Sequence, residues 1–447
     1  MKKVYWLIAL LILIFGSSVA LVSAHQSPTI RIDGQLRSFD PFCQIVDNRT
    51  MVPLRFVMED PAFQAKVQWD GRLQKVTIQS SDKTFELFIG NRKVLVDGKS
   101  VYLDTAPYIY QNRTFVPIRF LAEQMGATVS WNAAISEVEI ETNRQTQVFA
   151  YYYYNGLDEL KANGSLMTDI AFRWFETNGQ GELNYEYEAP YNEILDFARS
   201  KGIKTHASVM LMGQESLHNL LSNPENRGRL VDNLGREITR SQYDGVNIDF
   251  EFLAPSDAGN FVLFLQELKA KIGPDVELSV AVFARTANDK WATGYDYKGI
   301  GATADKVVVM AYDYHYATDS PGPIAPLWWT NQVVDYMVSV MPREKILLGM
   351  ATYGYDWPEA ANGTTVTAEK LAAVKSQYNV TERFDLESMS PTYTYVDESG
   401  VSHQIWMEDE RSLQEKWKLA EDNGLGGISF WRIGTGFDDL YQVIEKN

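Results

Sequence analysis

The stretch Asp244-Gly245-Val246-Asn247-Ile248-Asp249-Phe250-Glu251 decides how the rest of the chain reads. It follows a polar run, Arg236–Ser241, and has the length and apolar content of a short, mostly buried strand. Side chains of a strand alternate between its faces. Asn247, Asp249 and Glu251 therefore share one face, and Val246, Ile248 and Phe250 share the other. Burying a carboxylate without a partner raises its pKa or destabilises the fold. Two carboxylates and an amide stacked on one face point to placed chemistry, not to core. The plainer alternative is a sheet edge with a solvated polar face; the usual clustering of perturbed groups at functional sites weighs against it.

On either side of this stretch the pattern repeats. Apolar runs suited to strands fall at Val148–Tyr153, Asp169–Phe175, Thr205–Leu211, Gly245–Glu251, Glu277–Phe283, Lys306–Tyr312, Ile346–Thr352 and Gly427–Arg432. Helix-like segments lie between them, among them Tyr191–Ser200, Glu225–Arg240, Asp257–Ile272, Trp329–Met341 and Ser412–Asn423. Eight strands alternating with amphipathic stretches predict an α/β fold, a (β/α)8 TIM barrel. An open doubly wound sheet is the alternative, and the lack of a Gly-rich phosphate loop after the first strand lowers it. Function in a barrel gathers at the C-terminal ends of the strands, and Glu251 closes the fourth. A long interruption, Pro358–Glu410, predicts a small α+β insertion between strands seven and eight, with Tyr393–Tyr395 and Gln404–Met407 alternating like hairpin strands.

The opening stretch resembles the D-G-x-D-x-D-x-E signature of family 18 glycoside hydrolases, the chitinase family. Asn247 stands where the second aspartate is usual, a form similar to the branch of spore-cortex-lytic N-acetylglucosaminidases. Glu251 is the expected general acid, because a carboxylic acid with a raised pKa can protonate a leaving glycosidic oxygen near neutral pH. This family is one that dispenses with a carboxylate nucleophile. The resemblance implies that the 2-acetamido carbonyl of the sugar attacks instead, that Asp249 orients that group, and that the anomeric configuration is retained. Asn247 removes a like-charge neighbour and is read as tuning Asp249 toward its ionised form. Asp244, which opens the motif, is expected with Asn247 among the substrate-binding residues but ranks lower, with bracing of the strand as its alternative.

Further carry-overs follow the family's order. Met310-Ala311-Tyr312-Asp313 resembles its M-x-Y-D motif, which implies that Tyr312 contacts the acetamide and Asp313 the sugar. Gly427–Arg432 places Trp431 where the family has the tryptophan beneath the reacting sugar. Tyr353, Tyr151 and Phe172 are expected to line the site, although Tyr151 and Phe172 read equally well as core. No histidine pair has metal-ligand spacing and G-x-S-x-G is absent, so neither a metal nor any other cofactor is expected.

Residues 27–143 contain an internal repeat. Asn48-Arg49-Thr50-Met51-Val52-Pro53-Leu54-Arg55-Phe56 returns as Asn112-Arg113-Thr114-Phe115-Val116-Pro117-Ile118-Arg119-Phe120, and each copy runs on to a tryptophan, Trp69 or Trp131. Alternating strands follow at Lys75–Gln79 and Glu137–Glu141. Two copies predict one small α+β domain; a solenoid needs three or more. The repeat resembles the copper amine oxidase N-terminal-like domain of exported bacterial proteins. From Gln26 to Asn143 there is no histidine and one cysteine, Cys43, so the usual copper ligands are missing. The domain is read as a stalk or cell-wall attachment module, or as a stabilising appendage. Met1-Lys2-Lys3, the apolar run Val4–Phe15 and the small-residue site Val22-Ser23-Ala24 predict a signal peptide over residues 1–24, with an uncleaved anchor as the alternative.

The formal net charge is −17, which argues against nucleic acid or an anionic membrane as partner. The expectation is a secreted bacterial hydrolase, associated with cell wall or spore. Its barrel, residues 147–447, would act on β-1,4-linked N-acetylglucosaminyl bonds of peptidoglycan, or secondarily of chitin. Two rivals stand: a catalytically inactive, lectin-like barrel that binds glycans, against which the intact Glu251 counts, and a barrel hydrolase with a conventional carboxylate nucleophile.

Overall fold

The computed structural model describes residues 27–447 apart from 61, 64, 81–82, 143–145, 154 and 186–190. The expected signal segment lies outside the described residues. The chain forms two compact units, one ending at Asn143 and the other running from Arg144 to Asn447.

In the first unit the two repeat copies meet at their strands. Arg49–Pro53 pairs antiparallel with Arg113–Pro117, with Val52 opposite Val116, so the copies are related about that point. Each strand leads into a short helix, Leu54–Met58 or Ile118–Gln124, that buries its aliphatic side chains in one shared core. The tryptophan of each copy ends up exposed on the hairpin that follows, Lys66–Gln79 or Thr128–Glu141. The copies then diverge. Glu137–Glu141 pairs in parallel with Thr29–Ile32, whereas Lys75–Gln79 continues into a five-stranded meander ending at Tyr102.

The second unit is the predicted barrel. Its strands are β1 (Gln147–Tyr152), β2 (Asp169–Thr177), β3 (Lys204–Met212), β4 (Gly245–Glu251), β5 (Glu277–Phe283), β6 (Lys306–Met310), β7 (Ile346–Ala351) and β8 (Gly427–Ile433). Each pairs in parallel with the next, and β1 pairs with both β2 and β8, which closes the ring. A parallel strand buried on both faces reads as a near-continuous apolar run, and this is what made the strands visible. Val246, Ile248 and Phe250 pack outward under the helices, Phe250 against Phe261 and Phe264 of helix Ala258–Ile272 at 5.9 and 5.6 Å between ring centroids. Helix Pro224–Ser241 starts where Asn223 accepts a hydrogen bond from the Glu225 amide, with proline in its first turn, a strong N-terminal signal.

One local reading changes. The sixth strand stops at Met310, not Tyr312. The Ala311 amide donates back to the Val309 carbonyl and Asp313 has a left-handed φ of 59°, so Tyr312 and Asp313 sit on a turn above the strand. The insertion between the seventh and eighth strands is the small α+β unit expected. It is a five-stranded antiparallel sheet, in the order 364–366, 354–358, 402–407, 390–396, 381–385, with helix Ala368–Gln377. Among the described residues no helix is long and apolar enough to cross a membrane.

Candidate active site

The inward face of β4 carries the polar ladder that alternation predicted. Asn247 is fully buried, and both ends of its amide are engaged: Oδ1 accepts from Ser208 Oγ on β3 at 2.9 Å, and Nδ2 donates to Ser279 Oγ on β5 at 3.1 Å. An aspartate could only accept in that place. Asn247 therefore ties three neighbouring strands together below the reactive layer. It braces the site where a substrate contact was expected.

Above it, Asp249 is 5% exposed and its Oδ1 has no hydrogen-bond partner within the protein. Burial pushes its carboxyl up, and the Arg173 guanidinium on β2 pulls it partly back. Glu251, at the rim, is pushed up further. Burial is the largest cause, the charges of Asp249 and Asp313 add to it, and Arg173 opposes it. The expectation that Asn247 leaves Asp249 easily ionised thus meets a stronger opposing effect, desolvation. Arg173 was missed by sequence reading. It is a lone arginine within the apolar run of β2, on the inward face with Ala171, and its guanidinium lies 5.3 Å from the centre of the Tyr153 ring.

The loop ends complete a cup. Asp313 accepts from the hydroxyls of Tyr353 (2.8 Å) and Tyr355 (3.1 Å), yet burial still raises its pKa. Tyr312 packs edge-on against Tyr353, 6.2 Å between centroids, and feels the charges of Asp249, Asp313 and Glu251. Tyr151 points inward with its buried hydroxyl toward the Asn247 amide, and its ring lies 5.5 Å from that of Trp431. Met310 and Trp431 pack on the same inner cluster. The structure brings Tyr151, Asp249, Glu251, Met310, Tyr312, Asp313, Tyr353 and Trp431 to one end of the barrel.

Two expected residues fall elsewhere. Phe172 is fully buried on the outward face of β2, against Trp174 at 4.5 Å and Tyr152 at 5.6 Å. It is one residue out of phase with Ala171 and Arg173, so it belongs to the layer between strands and helices. Asp244 lies at the opposite end of β4, where its carboxylate accepts from the amide and hydroxyl of Thr205. It braces the N-terminal end of the barrel and cannot reach the rim.

The floor of the barrel holds a second charged group, Asp169, His206 and Glu277, with oxygen and nitrogen atoms close enough together to suggest a cation site. The Lys306 ammonium already contacts both carboxylates, and His206 Nε2 lies 2.9 Å from Asp169. A lysine in that place supplies the charge that a metal would, so the donor set does not fit one.

Comparison with known proteins agrees with this geometry. The family model described as glycosyl hydrolases family 18 matches residues 141–436, and that of the copper amine oxidase N-terminal domain matches residues 31–140. A putative sporulation-specific glycosylase of Bacillus subtilis is 33% identical over 238 residues, 52% of this chain and 57% of that protein. A cortical fragment-lytic enzyme of Bacillus anthracis is 32% identical over 232 residues, 49% of this chain and 53% of its own length. This chain thus spans little more than half of either relative. Among solved structures, a chitinase from Chromobacterium violaceum superposes with a TM-score of 0.63 at 28% identity, covering 68% of this chain and 98% of that one. The spore cortex-lytic enzyme SleL of Bacillus megaterium does so at 0.62 and 25%, covering 68% and 74%. With a family match over most of its length and the fold and polar ladder to go with it, the chain belongs to family 18 of the glycosyl hydrolases.

Proposed function

We propose that this protein is an exported glycoside hydrolase that cleaves β-1,4-linked N-acetylglucosaminyl bonds of peptidoglycan, with retention and with assistance from the substrate's own acetamido group. One observation carries the reading: a carboxyl at the barrel rim, Glu251, whose pKa is raised by burial and by the neighbouring carboxylates, beside a buried carboxyl with an unpartnered oxygen, Asp249. A protonated acid is what a leaving glycosidic oxygen requires. In this reading Glu251 gives its proton to that oxygen. The acetamide carbonyl oxygen bonds to the anomeric carbon as the C–O bond breaks, giving an oxazolinium ion. Asp249 accepts from the acetamide N–H and offsets the developing positive charge. The Tyr312 hydroxyl steadies the acetamide oxygen, Tyr151 and Tyr353 line the cup, and Trp431 offers its face to the C–H face of the sugar. Asp313, fixed by two tyrosine hydroxyls, contacts the sugar beside it. Glu251 then takes a proton from water, which opens the oxazolinium ring.

Peptidoglycan is preferred to chitin because the relatives of comparable identity are named for spore cortex and sporulation. The catalytic barrel is assigned to residues 147–447, an attachment domain to residues 27–143, and a signal segment to residues 1–24. The test is parallel digestion of purified peptidoglycan and chitin oligosaccharides by wild type and Glu251→Gln, with products identified by mass spectrometry. Release of saccharides with reducing N-acetylglucosamine ends by wild type alone supports the reading. Inhibition by a thiazoline mimic of the oxazolinium ion supports the assisted route, and its failure to inhibit would point to a carboxylate nucleophile. Binding of either polymer without cleavage would replace the hydrolase by a glycan-binding barrel.

A further inference from the structure

We infer that the first unit carries two equivalent saccharide-binding clefts, related by its internal repeat, that grip one acidic glycan polymer at two points. The repeat builds both by exchange. In the first cleft, Arg55 and Trp69 of copy one face Asn112, Arg113 and Thr114 of copy two. In the second, Arg119 and Trp131 of copy two face Asn48, Arg49 and Thr50 of copy one. Every one of these residues has its repeat equivalent in the other cleft, and the strand pair Arg49–Pro53 with Arg113–Pro117 lies between them. The cavities measure about 500 and 270 Å3, the first within and the second just below the range of small-ligand sites.

The chemistry is alike in both. Trp69 and Trp131 are 45% and 40% exposed, and each lines its cleft, leaving part of the indole open to a ligand. An indole face suits the C–H face of a pyranose, and the Asn and Thr side chains can bond to hydroxyl and acetamido groups. Each cleft is lined by two arginines and by no acidic residue, although the chain as a whole carries −17. Arg49, Arg55 and Arg119 are steadied by Asp104, Glu59 and Glu123 beside the clefts; such exposed pairs are weak and can yield to an incoming carboxylate. Arg113 stacks instead on Phe56, 5.7 Å from its centre. Guanidinium groups favour carboxylates through paired N–H donors. The ligand class is therefore a carboxylate-bearing amino-sugar polymer, the chemistry of peptidoglycan, in preference to neutral chitin. Besides being larger, the first cleft differs at one lining position: Phe56 lines it, whereas Phe120 packs on the core. The first cleft should bind more strongly.

This assignment of the ligand rests on the proposed peptidoglycan substrate, and two attachment points on one polymer would raise affinity through effective concentration. The test uses the full chain with Glu251→Gln, so that nothing is digested, and measures its retention on purified peptidoglycan and on colloidal chitin. Trp69→Ala or Trp131→Ala should each weaken retention on peptidoglycan by about 10-fold, Trp69→Ala more so, and the double variant by about 100-fold. Arg49→Ala with Arg113→Ala, a pair that leaves the indoles in place, should weaken peptidoglycan retention and spare chitin. Thermal unfolding of each variant separates loss of binding from loss of fold. Unchanged retention of both double variants overturns the inference. Equal losses on chitin and peptidoglycan overturn the acidic ligand. Turnover of soluble oligosaccharides by the unsubstituted protein is read separately, so failure of the hydrolase reading shows itself independently of this result.

Discussion

At the floor of the barrel, Lys306 lies between Asp169 and Glu277, with His206 on Asp169 and Lys204 on Glu277. At the rim, burial raises the pKa of both Asp249 and Glu251, the charge of Asp249 further opposes ionisation of Glu251, and Arg173 offsets this only in part. Both groups point into the same barrel from the same sheet, and both are largely removed from water. Yet their protonation moves in opposite directions. Burial alone would raise Asp169, but His206 and Lys306 outweigh it and hold that carboxyl far below its ordinary range. Glu251 is driven up. Burial raises both carboxyls and is the largest cause at Glu251; what separates the two is the sign of the neighbours, cations at Asp169 and carboxylates at Glu251. A buried carboxylate matched with cations helps hold the barrel together, and one buried beside other carboxylates keeps its proton to a higher pH.

The sharpest break of this contrast removes the rim acid. Glu251→Gln should lower turnover of a soluble oligosaccharide by about 10²–10⁴-fold, the usual worth of general acid–base catalysis, while the fold survives. The corresponding break at the floor is Lys306→Met. It leaves Asp169 and Glu277 buried without their shared cation and should cost about 3–5 kcal/mol in urea unfolding. The variant that remains folded should keep its turnover number. If both substitutions harm stability alike, the distinction between floor and rim is lost.

Stability against pH gives a finer test. Asp169 has a lowered folded pKa, so its contribution is present above its unfolded value, near 3.9, and lost as pH falls through the folded value. Glu251 has a raised folded pKa, so stability due to its protonated form is full below the unfolded value and lost as pH rises through the folded one. The melting temperature of Glu251→Gln should therefore equal or exceed that of wild type at neutral pH, by a margin that grows with pH. Activity of the wild type should fall on the alkaline side as Glu251 loses its proton. The smallest effect is expected from Asn247→Asp, which sets a third carboxylate below Asp249. It should move the acid limb of the pH–activity profile upward by about one unit, with a loss in maximal rate below about 10-fold.

The barrel was legible because both faces of its strands are apolar, and the reactive ladder because three polar residues break that rule at period two. Gly245–Glu251 and Glu277–Phe283 coincide with the expected spans. Phe172 misled because an aromatic beside a site strand gives no hint of its face. Only the register of β2, fixed by Ala171 and Arg173, shows that it turns outward. Arg173 went unread for the complementary reason: its value lies in carboxylates more than seventy residues away in sequence. The floor network was hidden in the same manner, since Asp169, His206, Glu277 and Lys306 stand singly near the starts of four strands. Asp244 was legible as part of a motif, but a motif does not say which end of a strand faces the ligand. In the first unit the repeat was plain, and the strands at Lys75–Gln79 and Glu137–Glu141 lie where they were expected. The five-stranded meander was not, because pairing partners of short strands are chosen by turns and packing that lie outside each segment.

The pairing of β1 with β8 has a consequence for how the protein is made. Two strands from opposite ends of the second unit must meet before the ring exists, and contacts so distant in sequence are slow to form. Until Gly427–Ile433 has been synthesised, β1 and β7 both present unpaired edges, the feature that invites chains to stick to one another. Production of this protein should therefore be limited by the interval between translation of the seventh and eighth strands. The insertion that fills that interval lengthens the exposure, and truncation before β8 should yield aggregate in place of a smaller enzyme.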